Sequence, residues 1–332
     1  MTENQNSKTN FYNGKNTLVT GGTGLIGRPL VEMLIDAGAK VRIASLDDSS
    51  RAHPQAEFMQ VDLTDKNNCM KAAEGMDMVF HLAGIKGSPK MTQEKPASFF
   101  VPTILFNTNM MEAARKSEVE RYLFTSTVGV YSPAEIFSED DVWKTFPSEN
   151  DKFAGWAKRM GELQVEAYAI EYGWDKVAIV RPANVYGPYD NFDPANAMVI
   201  PSLVKRALDG ENPLVVWGDG SPVRDFIHAK DVAKGMLLAL EKCPGYPINL
   251  GSGEGVQIKE IVEIIVNNME RKPKVEWDTS KPSGDKKRLM DISRARALGW
   301  KPEVSIEEGI KEVMQWYKEN KDIVEKRYNV FK

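Results

Sequence analysis

A lysine on a predicted helix has the setting in this chain that most clearly suggests chemistry. The segment AGWAK ends at Lys158, and the pattern of residues 152–171 predicts an amphipathic helix around it. Residues four positions apart lie on one helix face, so Ala154 is the neighbour of Lys158. A nearby cation lowers the pKa of a proton donor, but alanine has no proton to transfer. The residue beside this lysine on the helix face therefore cannot act as an acid.

Three glycines follow the first predicted strand. Gly21, Gly24 and Gly27 come after the apolar run at 16–20 and lead into a helix predicted at 25–38. A turn of this kind lets backbone N–H groups approach a pyrophosphate at the positive end of a helix. The strand–turn–helix context therefore predicts a dinucleotide site rather than a purely structural turn.

Residues near the end of the second predicted strand bear on the choice of cofactor. An acid there would bind the ribose 2′-hydroxyl of NAD, whereas a basic group would suit the 2′-phosphate of NADP. The strand ends at Ser45, and Asp47, Asp48 and Arg51 follow it. The carboxylates favour NAD slightly over NADP. An interpretation of all these groups as solvated loop charges remains open.

The elements that would position these groups alternate between strand and helix in the first half of the chain. Strands are predicted at 16–20, 40–45, 57–63, 77–83, 121–126 and 176–182. Nearly continuous apolar strands indicate a parallel sheet that is covered on both faces. Further helices are predicted at 196–209, 229–242, 257–270 and 305–321.

The predicted fold class is α/β, a Rossmann-type doubly wound parallel sheet with a smaller C-terminal α/β substrate-binding lobe. We expect a flexible tail at 1–12, the dinucleotide-binding domain at 13–182 and, mainly, the lobe at 183–332. Both units are long enough to bury a core of their own.

Bulk properties exclude several classes of protein. The 332 residues are 42% hydrophobic and 27% charged, which is ordinary for a globular protein, and the net charge of −4 argues against nucleic-acid binding. An apolar run of membrane-spanning length and a signal peptide are both lacking, so we expect a cytoplasmic protein. We expect Cys69 and Cys243 to be reduced thiols. His53, His81 and His228 lack the spacing of metal ligands, so we expect no metal site.

Longer segments resemble a known family. The spacing G-x-x-G-x-x-G, the segment FTSTVGVYS at 124–132 and the segment RPANVYGPYDNFDPANAMVIPSLVKRAL at 181–208 resemble the extended short-chain dehydrogenases/reductases, the NAD-dependent epimerase/dehydratase family. The similarity covers nearly all of residues 15–320 and is strongest to the GDP-fucose synthase and UDP-glucose 4-epimerase types. It implies a nucleotide-diphosphate sugar as substrate and NAD or NADP as cofactor. It also implies a homodimer in which helices at 98–116 and 152–171 form a four-helix bundle.

The resemblance assigns roles by position. Thr127 and Lys158 are the expected catalytic residues, and Ala154 stands where the family has its proton-transferring tyrosine. The expected cofactor contacts are Gly21, Thr23, Gly24, Leu25, Ile26, Gly27, Ser45, Asp47, Asp62, Leu63, Leu82, Ala83, Gly84, Lys158 and Pro182. The expected substrate contacts are Lys86, Ser126, Asn184, Val199, Arg224 and Arg288. The two arginines would grip the diphosphate, because guanidinium groups bind phosphate oxygens bidentately.

Departures from the family pattern narrow the chemistry. GDP-fucose synthases invert two carbons with a cysteine and a histidine, which here are Gly129 and Met198, so 3,5-epimerisation is not expected. Dehydratases and decarboxylases have an acid directly after the catalytic threonine or serine, where this chain has Val128. The remaining chemistry is hydride transfer at C4 of the sugar, as a 4-epimerase or a C4 oxidoreductase.

The missing tyrosine leaves the proton donor open. The candidate replacements are Lys158 itself, Lys86, Tyr131 or a bound water. The position of Tyr131 after a strand-like stretch favours a packed ring over a proton donor. Thr103 stands where the family often has asparagine. The alternative to an enzyme is a protein of the same fold that binds cofactor and sugar nucleotide without turnover.

Overall fold

The computed structural model describes residues 11–85, 89–193, 196–281, 285–324 and 327–328. The strands are β1 (Asn16–Thr20), β2 (Lys40–Ser45), β3 (Glu57–Gln60), β4 (Met78–His81), β5 (Arg121–Thr125), β6 (Ile136–Phe137), β7 (Val177–Pro182), β8 (Asn184–Tyr186), β9 (Leu214–Trp217), β10 (Val223–Arg224), β11 (Phe226–His228), β12 (Ile248–Leu250), β13 (Val256–Gln257), β14 (Val275–Asp278) and β15 (Lys287–Met290). The helices are α1 (Gly27–Asp36), α2 (Lys66–Ala73), α3 (Pro89–Glu94), α4 (Pro96–Lys116), α5 (Lys152–Tyr172), α6 (Val199–Leu208), α7 (Ala229–Lys242), α8 (Ile258–Asn267), α9 (Ser293–Ala297), α10 (Ile306–Glu319) and α11 (Lys321–Val324).

A seven-stranded parallel sheet forms the centre of the molecule, in the order β12-β7-β5-β4-β1-β2-β3. β1 has β2 on one side and β4 on the other, so the strand order reverses there. In doubly wound sheets, ligands bind outside the carboxyl ends of the strands at such a reversal. The sheet confirms the predicted Rossmann-type α/β class. A cofactor site is expected at the carboxyl end of β1.

Both faces of the sheet are covered, as the apolar strands predicted. Leu18 and Val19 are successive residues of β1 and belong to cores on opposite faces. The Val19 core includes α1 and α7, whereas the Leu18 core includes α2, α4 and α5. Helices α4 and α5 also pack against each other.

A third core lies in the second half of the chain. It joins α6, α8 and α10, with Leu203, Ile261 and Val313 all nearly inaccessible to solvent. The described residues also form one sheet of four strands and two sheets of two strands each. β12 pairs with β7 in the central sheet although it falls within the lobe predicted at 183–332, because pairing there buries its apolar residues. β6, from the first half, joins the four-stranded sheet.

The packed chain begins earlier than the predicted tail at 1–12 allows. Tyr12 is buried, and its hydroxyl donates a hydrogen bond to the carbonyl of Leu237 at 2.6 Å. Phe11 packs edge-on against Tyr12, and the Arg121 guanidinium lies over the Phe11 ring. The tail prediction is therefore wrong for residues 11 and 12, because an aromatic pair with a satisfied hydroxyl gains more from burial than from remaining in solvent.

Within the described part of the chain, none of the helices combines the length and the apolar character needed to cross a membrane.

Candidate functional site

The glycine turn after β1 has the shape that a phosphate requires. Gly21 has a φ of +69°, and a Cβ on Gly27 would lie 2.2 Å from the carbonyl oxygen of Gly21. Only glycine fits such an approach, so α1 can begin directly over the turn. The first turn of α1 carries no acidic residue. Its N–H groups and dipole therefore favour an anion.

The other predicted residues of this turn are buried or half-buried. Leu25 is buried, and Ile26 is the N-cap residue that directly precedes α1. Gly24 donates its N–H to the carbonyl of Gly21 at 3.0 Å. A hydrogen bond within the segment thus fixes its backbone, while its glycines place no side chain over the turn.

Polar side chains meet where β1 and β2 end, in a group that we call the ribose corner (Thr23, Ser45, Asp47 and Arg51). The Thr23 hydroxyl donates to Asp47 Oδ2 at 2.6 Å and lies 2.9 Å from Ser45 Oγ. Arg51 Nε lies 3.5 Å from the same Asp47 oxygen. Asp47 is 8% exposed and Arg51 only 2%. Their interpretation as solvated loop charges is therefore wrong.

A distant segment of the chain closes the ribose corner. Arg51 Nη1 donates to the carbonyl of Ile323 at 2.7 Å, and the N–H of Tyr328 donates to Asp47 Oδ1 at 2.7 Å. Arg51 Nη2 is buried without a hydrogen-bond partner among the described residues. The corner thus has an unused cationic donor beside a carboxylate whose oxygens already accept hydrogen bonds.

The loop after β4 touches the glycine turn. The N–H groups of Leu82 and Ala83 donate to Thr20 Oγ1 at 3.1 and 3.0 Å, and a Cβ on Gly21 would lie 3.2 Å from the nitrogen of Ala83. Gly84 is exposed next to them. The structure therefore brings these three predicted cofactor contacts to the turn.

Other predicted contacts lie along the same edge of the sheet. Asp62 is exposed and accepts hydrogen bonds from the N–H and the hydroxyl of Thr64, both at 2.8 Å, while Leu63 is buried. Pro182 ends β7 and is buried. Lys86 lies outside the described residues, so its predicted substrate contact and its candidacy as a proton donor stay predictions.

Lys158 is connected to β4 and β1 through two buried side chains. Its Nζ donates to Asn107 Oδ1 at 3.5 Å, and the same oxygen lies 3.0 Å from His81 Nε2. His81 Nδ1 lies 2.9 Å from Thr20 Oγ1. Since Asn107 Oδ1 can only accept, Nε2 carries the imidazole proton and Thr20 donates to Nδ1. Burial lowers the pKa of His81 to about 3, and the charge of Lys158 acts in the same direction.

Burial also changes Lys158 itself. It lowers the pKa of the Lys158 ammonium to about 8, against the opposing effect of the Glu162 carboxylate. Nζ lies 5.1 Å from the centre of the Phe124 ring. Ala154 is half-buried one turn earlier in α5. The predicted pair on one helix face is present, with a lysine whose pKa is lowered by burial and a methyl group one turn before it.

Thr127 lies just beyond β5, where the chain turns under α5. Its Oγ1 accepts a hydrogen bond from the N–H of Gly129 at 3.2 Å. A Cβ on Gly155 would lie 2.3 Å from the carbonyl oxygen of Gly129, so the helix touches this turn backbone to backbone. The predicted hydroxyl and the lysine helix are thus held together.

Ser126 has a different setting from the one predicted. It belongs to a buried group that we call the Glu162 network (Ser126, Glu162, Arg181, Tyr131, Asn249 and Glu139). Its hydroxyl donates to Glu162 Oε1 at 2.5 Å, and Arg181 binds both Glu162 oxygens, at 3.0 and 2.6 Å. The proton of Ser126 is therefore already committed inside the protein, and its substrate contact stays a prediction.

Tyr131 lies in the same network and is a packed ring. It stacks on Phe137 with the ring centres 4.9 Å apart, and its hydroxyl donates to Asn249 Oδ1 at 2.5 Å while accepting from Arg181. Burial raises the pKa of Tyr131 to about 12. A phenol with these partners is a poor replacement for the missing acid.

The two predicted diphosphate residues are brought together by strand pairing. β10 and β15 are parallel neighbours, and Arg224 is the register partner of Arg288. Burial and the charge of Arg288 lower the pKa of Arg224. Arg224 donates to the carbonyl of Asp285 at 2.6 Å, whereas Arg288 binds the Asp285 carboxylate at 2.5 Å and Asp151 Oδ2 at 3.0 Å.

Two predicted substrate contacts lie on the lobe side. Asn184 begins β8, and its Nδ2 donates to the carbonyl of Asp225 at 2.9 Å. Val199 is the first residue of α6 and is 37% exposed. Met198 immediately precedes that helix, and Gly129 is buried.

Sequence reasoning missed two polar side chains of the site. Asn107 supplies the amide beside Lys158, one helical turn after Thr103, whose hydroxyl donates to the carbonyl of Phe99 at 2.6 Å. The signal was a buried asparagine, Asn107, on the apolar face of helix α4. Asp151 was not singled out, because nothing in the sequence places it opposite Arg288 across 137 residues.

The residues present fit a dinucleotide. The glycine turn leaves room that a Cβ would fill, and Arg51 Nη2 and Asn107 Nδ2 are buried donors without partners among the described residues. Buried donors are seldom left without a partner unless a ligand or a water accepts from them. The described residues contain no group of three or more His, Cys, Asp or Glu side chains that could hold a metal ion.

Comparison with known proteins agrees with this geometry. A family model described as NAD dependent epimerase/dehydratase family matches residues 17–251. A relative named probable GDP-L-fucose synthase 1, from Oryza sativa subsp. japonica, is 32% identical over 92% of this chain and 93% of its own length.

Solved structures share the fold over almost the whole chain. The UDP-N-acetylglucosamine 4-epimerase from Methanobrevibacter ruminantium M1, in complex with UDP-N-acetylmuramic acid, superposes with a TM-score of 0.82 at 29% identity, over 92% of this chain and 99% of its own. The UDP-glucose 4-epimerase from Thermus thermophilus, in complex with NAD, has a TM-score of 0.79 at 27% identity, with the same coverage.

Proposed function

Because this chain belongs to the NAD dependent epimerase/dehydratase family, we propose that it transfers hydride at C4 of a nucleotide-diphosphate sugar. It acts as a 4-epimerase or as a C4 oxidoreductase. The observation that carries the proposal is the pairing of Arg224 with Arg288 near the turn that follows Thr127. A protein that sensed the cofactor alone would have no use for two neighbouring arginines suited to a diphosphate.

The proposed cofactor is NAD or NADP, with NAD favoured. The glycine turn, the Leu82–Ala83 loop and Lys158 would hold it, and Asp47 supports NAD because a carboxylate disfavours a 2′-phosphate nearby. A bound nicotinamide supplies the site with a hydride acceptor and donor. The names of the relatives point to UDP-sugars and GDP-sugars, and the proposal covers both.

The roles of the chain's own residues follow from their positions. Thr127 would hydrogen-bond the sugar oxygen that changes oxidation state, and the Lys158 ammonium would hold the cofactor ribose. Ala154 removes the family's usual proton donor. Gly129 and Met198 carry no group that could move a proton at C3 or C5, so epimerisation at those carbons is not part of the proposal.

A homodimer belongs to the proposal as well. Helix α5 carries apolar residues on one exposed stripe, at positions i, i+3, i+7 and i+10, namely Met160, Leu163, Ala167 and Ile170. Leu163 is 43% and Ile170 79% exposed, and Leu105 on the adjoining α4 is 42% exposed. Apolar side chains aligned in this way favour a partner surface, and a second copy would pair α4 and α5 into four helices.

Turnover on a panel of UDP-, GDP-, dTDP- and CDP-sugars tests the proposal, with NAD and with NADP and with products read by mass spectrometry and NMR. We expect a change at C4 only. Arg288→Gln should weaken sugar-nucleotide binding about tenfold or more, because a charge-assisted pair is lost. Arg271→Gln, an exposed arginine of α8's C-terminal flank, is the matched control and should bind normally. Absence of binding to every dinucleotide and sugar nucleotide would refute the proposal.

A further inference from the structure

We propose that Asp151 transfers the proton that the family's tyrosine would transfer, and that Arg288 holds its carboxylate until a substrate diphosphate takes over the guanidinium. This inference rests on the proposed function and names the residue that Ala154 leaves to be found. Four features of the described residues carry it.

The first feature is the position of Asp151 on the helix. It directly precedes α5 and stands at i relative to Ala154 at i+3 and Lys158 at i+7, which is one helix face. It is the N-cap residue, yet its side chain makes no capping hydrogen bond to the helix. The carboxylate is therefore directed to something other than the start of α5.

The second feature is the direction of helical side chains. A long side chain on a helix leans toward the N-terminus and covers the turn before its own Cα. A tyrosine at position 154 would therefore carry its hydroxyl back over the turn that contains Asp151. The reacting oxygen of such a tyrosine and the Asp151 carboxylate would therefore lie over the same turn.

The third feature is the closeness of Asp151 to Thr127. A Cβ on Gly129 would lie 3.3 Å from Asp151 Cβ and 3.5 Å from Thr127 Cγ2. Two side chains that approach the same point border the same small space. Gly129 places no side chain between them, so a sugar hydroxyl bound at Thr127 would lie on the side of the turn that Asp151 borders.

The fourth feature is the contact with Arg288. Asp151 Oδ2 is 3.0 Å from Arg288 Nη1 and accepts from the Ser148 hydroxyl at 3.1 Å, while the Asp151 side chain stays 34% exposed. The Asp285 carboxylate shares the same guanidinium. Glu149 and Lys152, the charged neighbours on its own segment, pair with each other. A diphosphate on Arg288 would compete directly with Asp151 for the guanidinium.

The proposed step balances when the proposed nicotinamide cofactor accepts the hydride. The O–H bond of the sugar C4 hydroxyl breaks, and its proton forms an O–H bond with Asp151. The hydride lost from C4 goes to the oxidised nicotinamide cofactor, which leaves a 4-ketosugar. Return of the hydride to C4 and of the proton to its oxygen regenerates the carboxylate and the sugar.

Asp151→Asn tests the inference through turnover and through nucleotide binding, and a supporting role would move the binding in the opposite direction. Turnover should fall roughly a hundredfold to ten-thousandfold, as for loss of a general acid–base. Calorimetry with UDP and GDP should show binding about two- to fivefold tighter, because a carboxylate that competes for Arg288 is gone. Weaker binding would show that Asp151 only positions Arg288, and unchanged turnover would show that it moves no proton. Either result overturns the inference.

Two further variants separate this inference from the proposed function. Glu149→Gln, an exposed carboxylate on the same turn, should keep normal turnover and binding. Ala154→Tyr added to Asp151→Asn should restore at least tenfold in turnover, and no recovery would count against the inference. If Ala154→Tyr is active and the unaltered chain is not, Asp151 is not the acid. The substrate assignment would still stand. A chain that binds no nucleoside diphosphate and no dinucleotide fails the proposed function instead.

Discussion

His81 shows at the scale of one residue how the fold fixes a protonation state. Its ring is completely buried between Thr20 and Asn107, both of which require the neutral imidazole, and Lys158 adds a nearby positive charge. A second proton would lie on Nδ1 and face the Thr20 oxygen, which already accepts hydrogen bonds from the N–H groups of Leu82 and Ala83. The site therefore keeps one cation, on Lys158, rather than two.

This arrangement predicts a specific acid sensitivity. The pKa of His81 is lowered from 6.5 to about 3 in the folded protein, so between these values the unfolded chain binds a proton that the folded chain does not. Stability must fall as pH drops through that window, by about 3 kcal/mol at pH 4. Glutamine at position 81, in His81→Gln, keeps a donor and an acceptor but cannot titrate. The free energy of unfolding of this variant should therefore fall less with decreasing pH than that of the unaltered chain. Urea unfolding of both proteins at pH 6.5, 5 and 4 measures the difference; parallel curves would contradict it.

At the scale of elements, the Glu162 network fixes α5 to the sheet. Glu162 lies on α5 and Arg181 on β7, and their side chains are 2% and 0% exposed. The ion pair is bidentate, and Arg181 Nη1 donates to the Tyr131 hydroxyl and to the Glu139 carbonyl. Lys158 is one turn from Glu162, so the same anchor positions the lysine.

Breaking this anchor should be costly. Glu162→Gln leaves a buried guanidinium without its counter-charge, and we expect a loss of about 3–5 kcal/mol in the free energy of unfolding. Glu307→Gln breaks an exposed pair with Lys311 on α10 and should cost less than about 1 kcal/mol. Denaturant unfolding of the two variants compares them directly. A similar small loss for both would mean that burial adds nothing to the Glu162 pair.

The elements were predicted more accurately than the site. β1 and β2 begin and end where the apolar runs do, and α7 has the predicted bounds. β3 and β4 end earlier than predicted, because Leu63, Leu82 and Ala83 leave the strands and enter the loops that follow. The loop with Leu82 and Ala83 borders the glycine turn. Apolar residues at a strand end indicate burial, but they do not reveal whether the sheet or a ligand-facing loop buries them.

The site itself was only partly predictable. Local motifs identified the glycine turn and the Ala154–Lys158 pair, since both depend on residues close in sequence. Asn107 and Asp151 gain their roles from contacts with His81 and Arg288 that no local spacing encodes. Ser126 and Tyr131 were candidates by position, but the Glu162 network engages both hydroxyls.

At the scale of the whole molecule, the stripe on α5 predicts association. Leu163→Lys would place a charge in the proposed four-helix contact, and we expect sedimentation velocity to show a monomer where the unaltered chain forms a dimer. Trp217→Lys is the control, because Trp217 is 60% exposed on β9, away from α4 and α5, and should leave the dimer intact. A monomeric unaltered chain would contradict the proposal.

The closure of the ribose corner has a consequence for the order in which this protein matures. Asp47 and Arg51 emerge early during synthesis, yet they take their partners from Tyr328 and Ile323, which are 281 and 272 residues further along the chain. A nascent chain can complete its glycine turn as soon as β1, β2 and α1 have formed. The neighbouring corner can close only after Ile323 and Tyr328 have been synthesised, so we expect a nascent chain that lacks them to bind a dinucleotide less tightly.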